Sequence, residues 1–124
     1  MKKVIIILCL GILLCGCSSN SNKSSNDLNN SVISKEKLDA LIEEENYIIL
    51  DVRTKDEYNQ SHIVGSINIP HNELNDGMQL DKDKNILVYC QSGRRSQIAK
   101  ETLENLGYTV YDLGGINNLD LPKE

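Results

Sequence analysis

The sequence predicts an α/β domain built on a parallel sheet, and three observations carry that expectation. Tyr47-Ile-Ile-Leu-Asp51 and Ile86-Leu-Val-Tyr89 are unbroken apolar runs, the pattern of strands buried on both faces. Amphipathic helical patterns alternate with them, which implies right-handed crossovers between parallel strands. A lone cysteine, Cys90, closes the second run, and two of the chain's three arginines stand four and five residues beyond it.

With 124 residues the chain has room for one domain, and its first stretch does not belong to that domain. Lys2 and Lys3 precede an apolar run from Val4 to Leu14. A run of about eleven residues suits a signal h-region and is short for a membrane span. It ends in Leu14-Cys15-Gly16-Cys17, which resembles a bacterial lipobox. On this reading residues 1–16 are a lipoprotein signal and Cys17 carries the lipid; an uncleaved anchor or an ordinary secretory signal is the alternative. Residues 17–31 are rich in Ser and Asn and without period, as in a flexible tether. The fourteen residues after Cys17 would span roughly 20 Å. Residues 32–124 are left as the folded domain.

Cleavage after Gly16 removes Cys9 and Cys15, and lipid blocks Cys17, so Cys90 would be the only free thiol. That leaves no internal disulfide and no cysteine-based metal site. A lone thiol in an oxidising compartment favours a reactive role. Without Lys2 and Lys3, eleven basic residues face eighteen acidic ones, a net charge of −7. Nucleic acid and anionic lipid both need a basic footprint, so neither is an expected partner, and membrane contact is assigned to the lipid anchor alone. The five tyrosines are the only aromatic side chains besides the two histidines, so Ile, Leu and Val must build the core.

Ser34 is placed to cap a helix through about Glu44, with Leu38, Leu41 and Ile42 on one face. Glu43-Glu44-Glu45 reads as its solvated end. Thr54-Lys-Asp-Glu57 is a capping box opening a second, short helix. Ser66 to Ile69 reads as a strand closed by Pro70, and residues 71–85 as polar with one weak turn. A helix from about Ser96 to Leu106 would turn Ile98, Ala99, Thr102, Leu103 and Leu106 inward and stop at Gly107. Thr109 to Leu113 is the last strand, and Gly114-Gly115 turns the chain away.

Ligands of open parallel sheets bind beyond the carboxyl ends of the strands, and Cys90 falls there. Gly93 permits a sharp path that aims amides at one point. Those amides, the helix dipole and the guanidiniums of Arg94 and Arg95 favour negative charge on the sulfur, the nucleophilic form. Asp51 and Arg53 read as a structural ion pair beneath the site, and His62 and His71 as hydrogen-bonding loop residues.

Cys90-Gln-Ser-Gly-Arg-Arg-Ser96 resembles the active-site loop of the rhodanese family, Cys-x-x-Gly-x-Arg-Ser. Asp51-Val-Arg53 with Glu57-Tyr58, His62-Ile-Val-Gly-Ser-Ile-Asn-Ile-Pro70 and Tyr111-Asp-Leu-Gly-Gly-Ile116 are similar to three further family segments. The resemblance implies a single domain with a five-stranded, mainly parallel sheet flanked by helices. It also implies sulfur transfer through a persulfide on Cys90, with Gln91, Ser92, Gly93, Arg94, Arg95 and Ser96 as the substrate-binding loop. The expected partners are a small sulfur-containing anion and a thiol acceptor, and the protein is expected to be a monomer. The loop amides can hold donor, persulfide and leaving anion, so no metal or organic cofactor is expected. Two departures stand out: Ser61 replaces a glycine common before the histidine, and no tryptophan follows Gly114-Gly115. The C-terminal helix is therefore expected to be short or frayed. A cysteine phosphatase or arsenate reductase would carry its arginine at the sixth position after the cysteine, where Ser96 stands. A tethered module without turnover is the non-enzymatic alternative.

Overall fold

The structure, a computed structural model, describes residues 32–124. The expected signal, Cys17 and the tether lie outside the described residues. Helix α1, Lys35–Glu43, starts where the Ser34 hydroxyl accepts from the amide of Lys37 at 3.2 Å. It leads into strand β1, Tyr47–Asp51. Helix α2, Lys55–Gln60, opens on the expected capping box, with Thr54 and Glu57 exchanging hydrogen bonds. Strand β2 is only Ile67–Asn68, followed by a 3-10 turn at His71–Glu73. Strand β3, Asn85–Cys90, helix α3, Arg94–Asn105, and strand β4, Thr109–Gly115, complete the main elements.

The strands lie in the order β2-β1-β3-β4, and every neighbouring pair is parallel. The sheet thus has four strands where five were expected. Beside β4 the described chain makes only one isolated parallel bridge, Val32 with Asp112. Val32-Ile33 is too short for a ladder because Ser34 caps α1 at once.

Period-two alternation divides the core between the two faces of the sheet. Ile86, Val88 and Cys90 of β3 join Leu50, Val52, Ala99 and Leu103 on the α3 face. Leu87 and Tyr89 join Leu38, Leu41, Ile49 and Leu113 on the α1 face. Helix α3 begins two residues earlier than its periodicity suggests, and its buried line runs Ser96, Ala99, Leu103. Ile98 is therefore not inward as expected but 44% exposed. At 100° per residue it points away from the line that Ser96 begins.

The helix ends as its sequence dictates. Gly107 adopts φ +94°, its amide donates to Glu104, and the amide of Tyr108 donates to Leu103, a Schellman closure. Gly114-Gly115 does not turn the chain away; both residues stay in β4, paired with Tyr89 and Cys90. The C-terminal helix is short, as expected. After a 3-10 turn at Ile116–Asn118 the chain lies extended against residues 62–64, with His62 and Glu124 exchanging backbone hydrogen bonds at 2.9 Å each. Ile116 and Leu119 are buried on the α1 face, in the region where a family tryptophan was missing.

Leu103 joins α3 to the sheet and is fully buried. Leu103→Ala should lower stability by about 2–5 kcal/mol in urea unfolding, through lost burial and a residual cavity.

Candidate functional site

The order β2-β1-β3-β4 reverses direction between β1 and β3, so the crevice beyond the carboxyl ends of these two strands is the topological switch point. Asp51 ends β1 and Cys90 ends β3, and everything that follows is built around that pair. Cys90 is fully buried. The amide of Gly93 donates to its Sγ at 2.9 Å, the thiol donates to Ser96 Oγ at 3.5 Å, and that hydroxyl donates to the Gly93 carbonyl at 3.1 Å. Gly93 holds φ +95° as the residue before α3, a conformation that glycine adopts without steric cost.

A bulge in β4 brings the loop down onto the sheet. Val88 pairs with Asp112 but Tyr89 with Gly114, so Leu113 is the extra residue. Gly114 takes φ +80° and donates its amide to Asp112 Oδ1 at 2.8 Å. The bulge sets Gly115 opposite Cys90, where a Cβ would lie 2.7 Å from the Gln91 carbonyl oxygen. Loop and strand approach this closely only because the residue is glycine.

Asp51 and Arg53 form the expected buried ion pair. Arg53 donates from Nε to both carboxylate oxygens at 3.0 Å and from Nη2 to Oδ2 at 2.6 Å. The guanidinium also donates to the Ser61 carbonyl at 2.6 Å and to Gln91 Oε1 at 3.1 Å. Burial works against this charge, yet the hydrogen bonds and charge of Asp51 hold the Arg53 pKa above its ordinary value. Asn68 Nδ2 spans the carbonyls of Asp51 and Arg53 at 3.0 Å each. Burial also pushes the neighbouring Tyr89 phenol up to about 12. Its hydroxyl accepts from the Ile63 amide at 3.0 Å and lies 3.1 Å from Ser66 Oγ. The departure at Ser61 is explained: its backbone carbonyl is what Arg53 uses, and φ −168° is extended backbone open to any residue.

The two loop arginines differ. Arg94 is exposed and takes part in no ion pair among the described residues. Arg95, expected to favour negative charge on the sulfur, instead grips Glu57, with Nη1 to Oε2 at 2.7 Å and Nη2 to Oε1 at 2.8 Å. The hydrogen bonds from Arg95 hold the Glu57 carboxyl down at about 2. Gln91 and Ser92 are exposed at the rim, and Ser96 is buried beneath the sulfur. His62 hydrogen-bonds through Nδ1 to the Tyr58 carbonyl at 2.8 Å and through Nε2 to Glu124 at 3.1 Å, and it stacks on Tyr58. A hollow of about 230 Å³ beside the loop is lined by Arg53, Glu57, Ser61, Gln91, Asn117 and Lys123 among others.

Sequence reasoning missed three contributors: Glu57 beyond its capping role, the Ser66–Tyr89 contact, and Gly115 as the floor under the loop. Glu57 belongs to a local capping motif, but its arginine partner lies 38 residues away and no local signal joins them.

The arrangement generates two tests. Arg53→Met should strand the buried Asp51 carboxylate and cost about 3–5 kcal/mol in urea unfolding at neutral pH. Glu57, with its pKa depressed from 4.5 to about 2, stabilises the fold above pH 4.5 and loses that contribution as pH falls toward 2. The stability gap between the wild type and Glu57→Gln should therefore be full at pH 6 and close on acidification between those values.

Comparison with known proteins agrees with this architecture. Residues 34–120 match the family model of the rhodanese-like domain. The chain is similar to the thiosulfate sulfurtransferase PspE of Escherichia coli, 41% identical over 78 residues, covering 60% of this chain and 75% of that protein. It is 37% identical over 75 residues to the putative sulfur carrier protein YrkF of Bacillus subtilis, covering 60% of this chain but 39% of that protein. Among solved structures, a rhodanese with anions from E. coli superposes with TM-score 0.58 at 37% identity, over 63% of this chain and 96% of the other. A rhodanese-related protein from Thermoplasma volcanium gives TM-score 0.64 at 36% identity, over 75% and 96%. With its parallel sheet, its Cys90 loop and a match over most of its described length, this chain belongs to the rhodanese-like domain family.

Proposed function

We propose that the protein is a sulfurtransferase that moves a sulfane sulfur from thiosulfate or a persulfide to a thiol or cyanide through a persulfide on Cys90. The observation that carries this reading is the Gly93 amide directed at the Cys90 sulfur at 2.9 Å, at the mouth of the β1–β3 crevice. The sulfur of Cys90, as thiolate, attacks the outer sulfur of thiosulfate. The S–S bond of the donor breaks, sulfite leaves with the electron pair, and the sulfane sulfur remains on Cys90. An acceptor thiolate then attacks that outer sulfur, leaves as a persulfide and restores the Cys90 thiolate; cyanide leaves as thiocyanate. The Gly93 amide at the sulfur is placed to stabilise the anionic charge carried by donor, persulfide and leaving group in turn.

Arg95 supports this reading over a phosphatase, since its fork is committed to Glu57 and closes a short loop. One observation favours a partner-binding module without turnover: Cys90 is fully buried, so a donor must part the exposed Gln91–Ser92 edge to reach it. We also propose that lipid on Cys17 anchors the domain outside the cytoplasm of a bacterial cell. The apolar Val4–Leu14 run ending in Leu14-Cys15-Gly16-Cys17 supports that location.

Thiosulfate treatment of the domain should add one sulfur atom to its mass, reversed by cyanide and absent in Cys90→Ser. Continuous sulfite release with a thiol acceptor distinguishes an enzyme from a carrier, and a Cys90 that takes sulfur from no donor sinks both. Cys17→Ser should shift the protein from the membrane to the soluble fraction or leave an unprocessed precursor. Full processing with normal membrane retention would contradict the anchor.

A further inference from the structure

Glu57 does more than its capping box requires. Its two oxygens receive both terminal nitrogens of Arg95 in a side-by-side pair that joins the first turn of α2 to the first turn of α3. The same Oε2 accepts from the amide and hydroxyl of Thr54, at 2.9 and 3.0 Å, so the carboxylate is fixed before it meets the arginine. Arg95 follows Arg94 directly after Gly93, whose amide is the group touching the Cys90 sulfur. A bidentate pair fixes orientation as well as distance, because the guanidinium is a rigid planar fork. The pair is also neutral, which leaves Arg94 as the exposed cation of the loop.

We infer that Glu57 is a positioning residue for the Cys90 loop: by holding Arg95 it sets the placement of Gly93 and the sulfur, and it withholds Arg95 from anion recruitment, which falls to Arg94. This rests on the sulfur-transfer reading and names which residues govern that site. Two opposite consequences follow for Glu57→Gln. The loop loses its brace, while Arg95 gains an uncompensated charge that attracts an anionic donor. Glutamine still serves at the third position of a capping box, so helix α2 keeps its start.

The experiment measures thiosulfate kinetics of Glu57→Gln beside Glu36→Gln, which removes the same charge from α1 on the other face of the sheet. For Glu57→Gln, kcat should fall by about tenfold or more, toward the roughly hundredfold that a 1 Å displacement of a reacting group can cost. Its KM for thiosulfate should fall by about twofold or more, since local positive charge concentrates anions. Arg94→Ala should instead raise KM, an effect that fades as salt is added. Glu36→Gln should match the wild type in both constants. A reading independent of turnover is the rate of Cys90 alkylation by iodoacetate relative to neutral iodoacetamide, which should rise several-fold in Glu57→Gln. Unchanged kcat and KM, or a loss of thermal stability alone, would overturn the inference. If the wild type takes up no sulfur, the sulfur-transfer reading fails, and the alkylation ratio still decides the role of Glu57. An unchanged ratio, or a Cys90 inert to both reagents in both proteins, overturns it.

Discussion

The site depends on one buried cation. Arg53 emerges just past β1, is 3% exposed, and ties together three pieces of chain that approach from different directions. It grips Asp51 on its own strand, the carbonyl of Ser61 after α2, and the side chain of Gln91 at the start of the Cys90 loop. A buried guanidinium must have every donor satisfied, because each unsatisfied group costs about 1–3 kcal/mol or more. The partners are thus compelled to converge on it. Removing the cation would leave Asp51, which is fully buried, without its compensating charge.

Around that centre the three arginines divide their work by burial. Arg53 is spent on structure, Arg95 is paired with Glu57, and Arg94 is left in solvent. Positive charge at the loop is therefore selective rather than general, which matters in a chain with a formal net charge of −5. The acidic remainder repels anions at long range, while the loop presents one exposed guanidinium and one amide at the sulfur.

Close backbone approach is the second constraint. The β4 bulge puts Gly115 beside Cys90, and the loop carbonyl of Gln91 occupies the space a side chain would need. The C-terminal segment contributes in a similar way. Its pairing with residues 62–64 and the buried Ile116 and Leu119 cover the α1 face with small aliphatic groups. At the two departures from the family pattern, one contact is made by the Ser61 backbone carbonyl and the other region is filled by the apolar bulk of Ile116 and Leu119.

Much of this was legible in the amino-acid order. Continuous apolar runs determined the buried strands, 3.6-residue spacing and the Ser34, Thr54 and Gly107 signals placed the helix ends, and Cys90 fell at a strand terminus by construction. The Asp51–Arg53 pair was legible too, its members being two residues apart. These features are local, and local periodicity and capping chemistry suffice to specify them. What tertiary structure alone decided involves partners distant in sequence. Arg95 reaches Glu57 and Arg53 reaches Gln91 across 38 residues in each case, and Tyr89 reaches Ile63 and Ser66 across 26 and 23. The four-strand count, the outward turn of Ile98 and the docking of the C-terminus belong to the same class. Each depends on how parallel strands bring their carboxyl ends together, and pattern along the chain does not encode which side chains meet there.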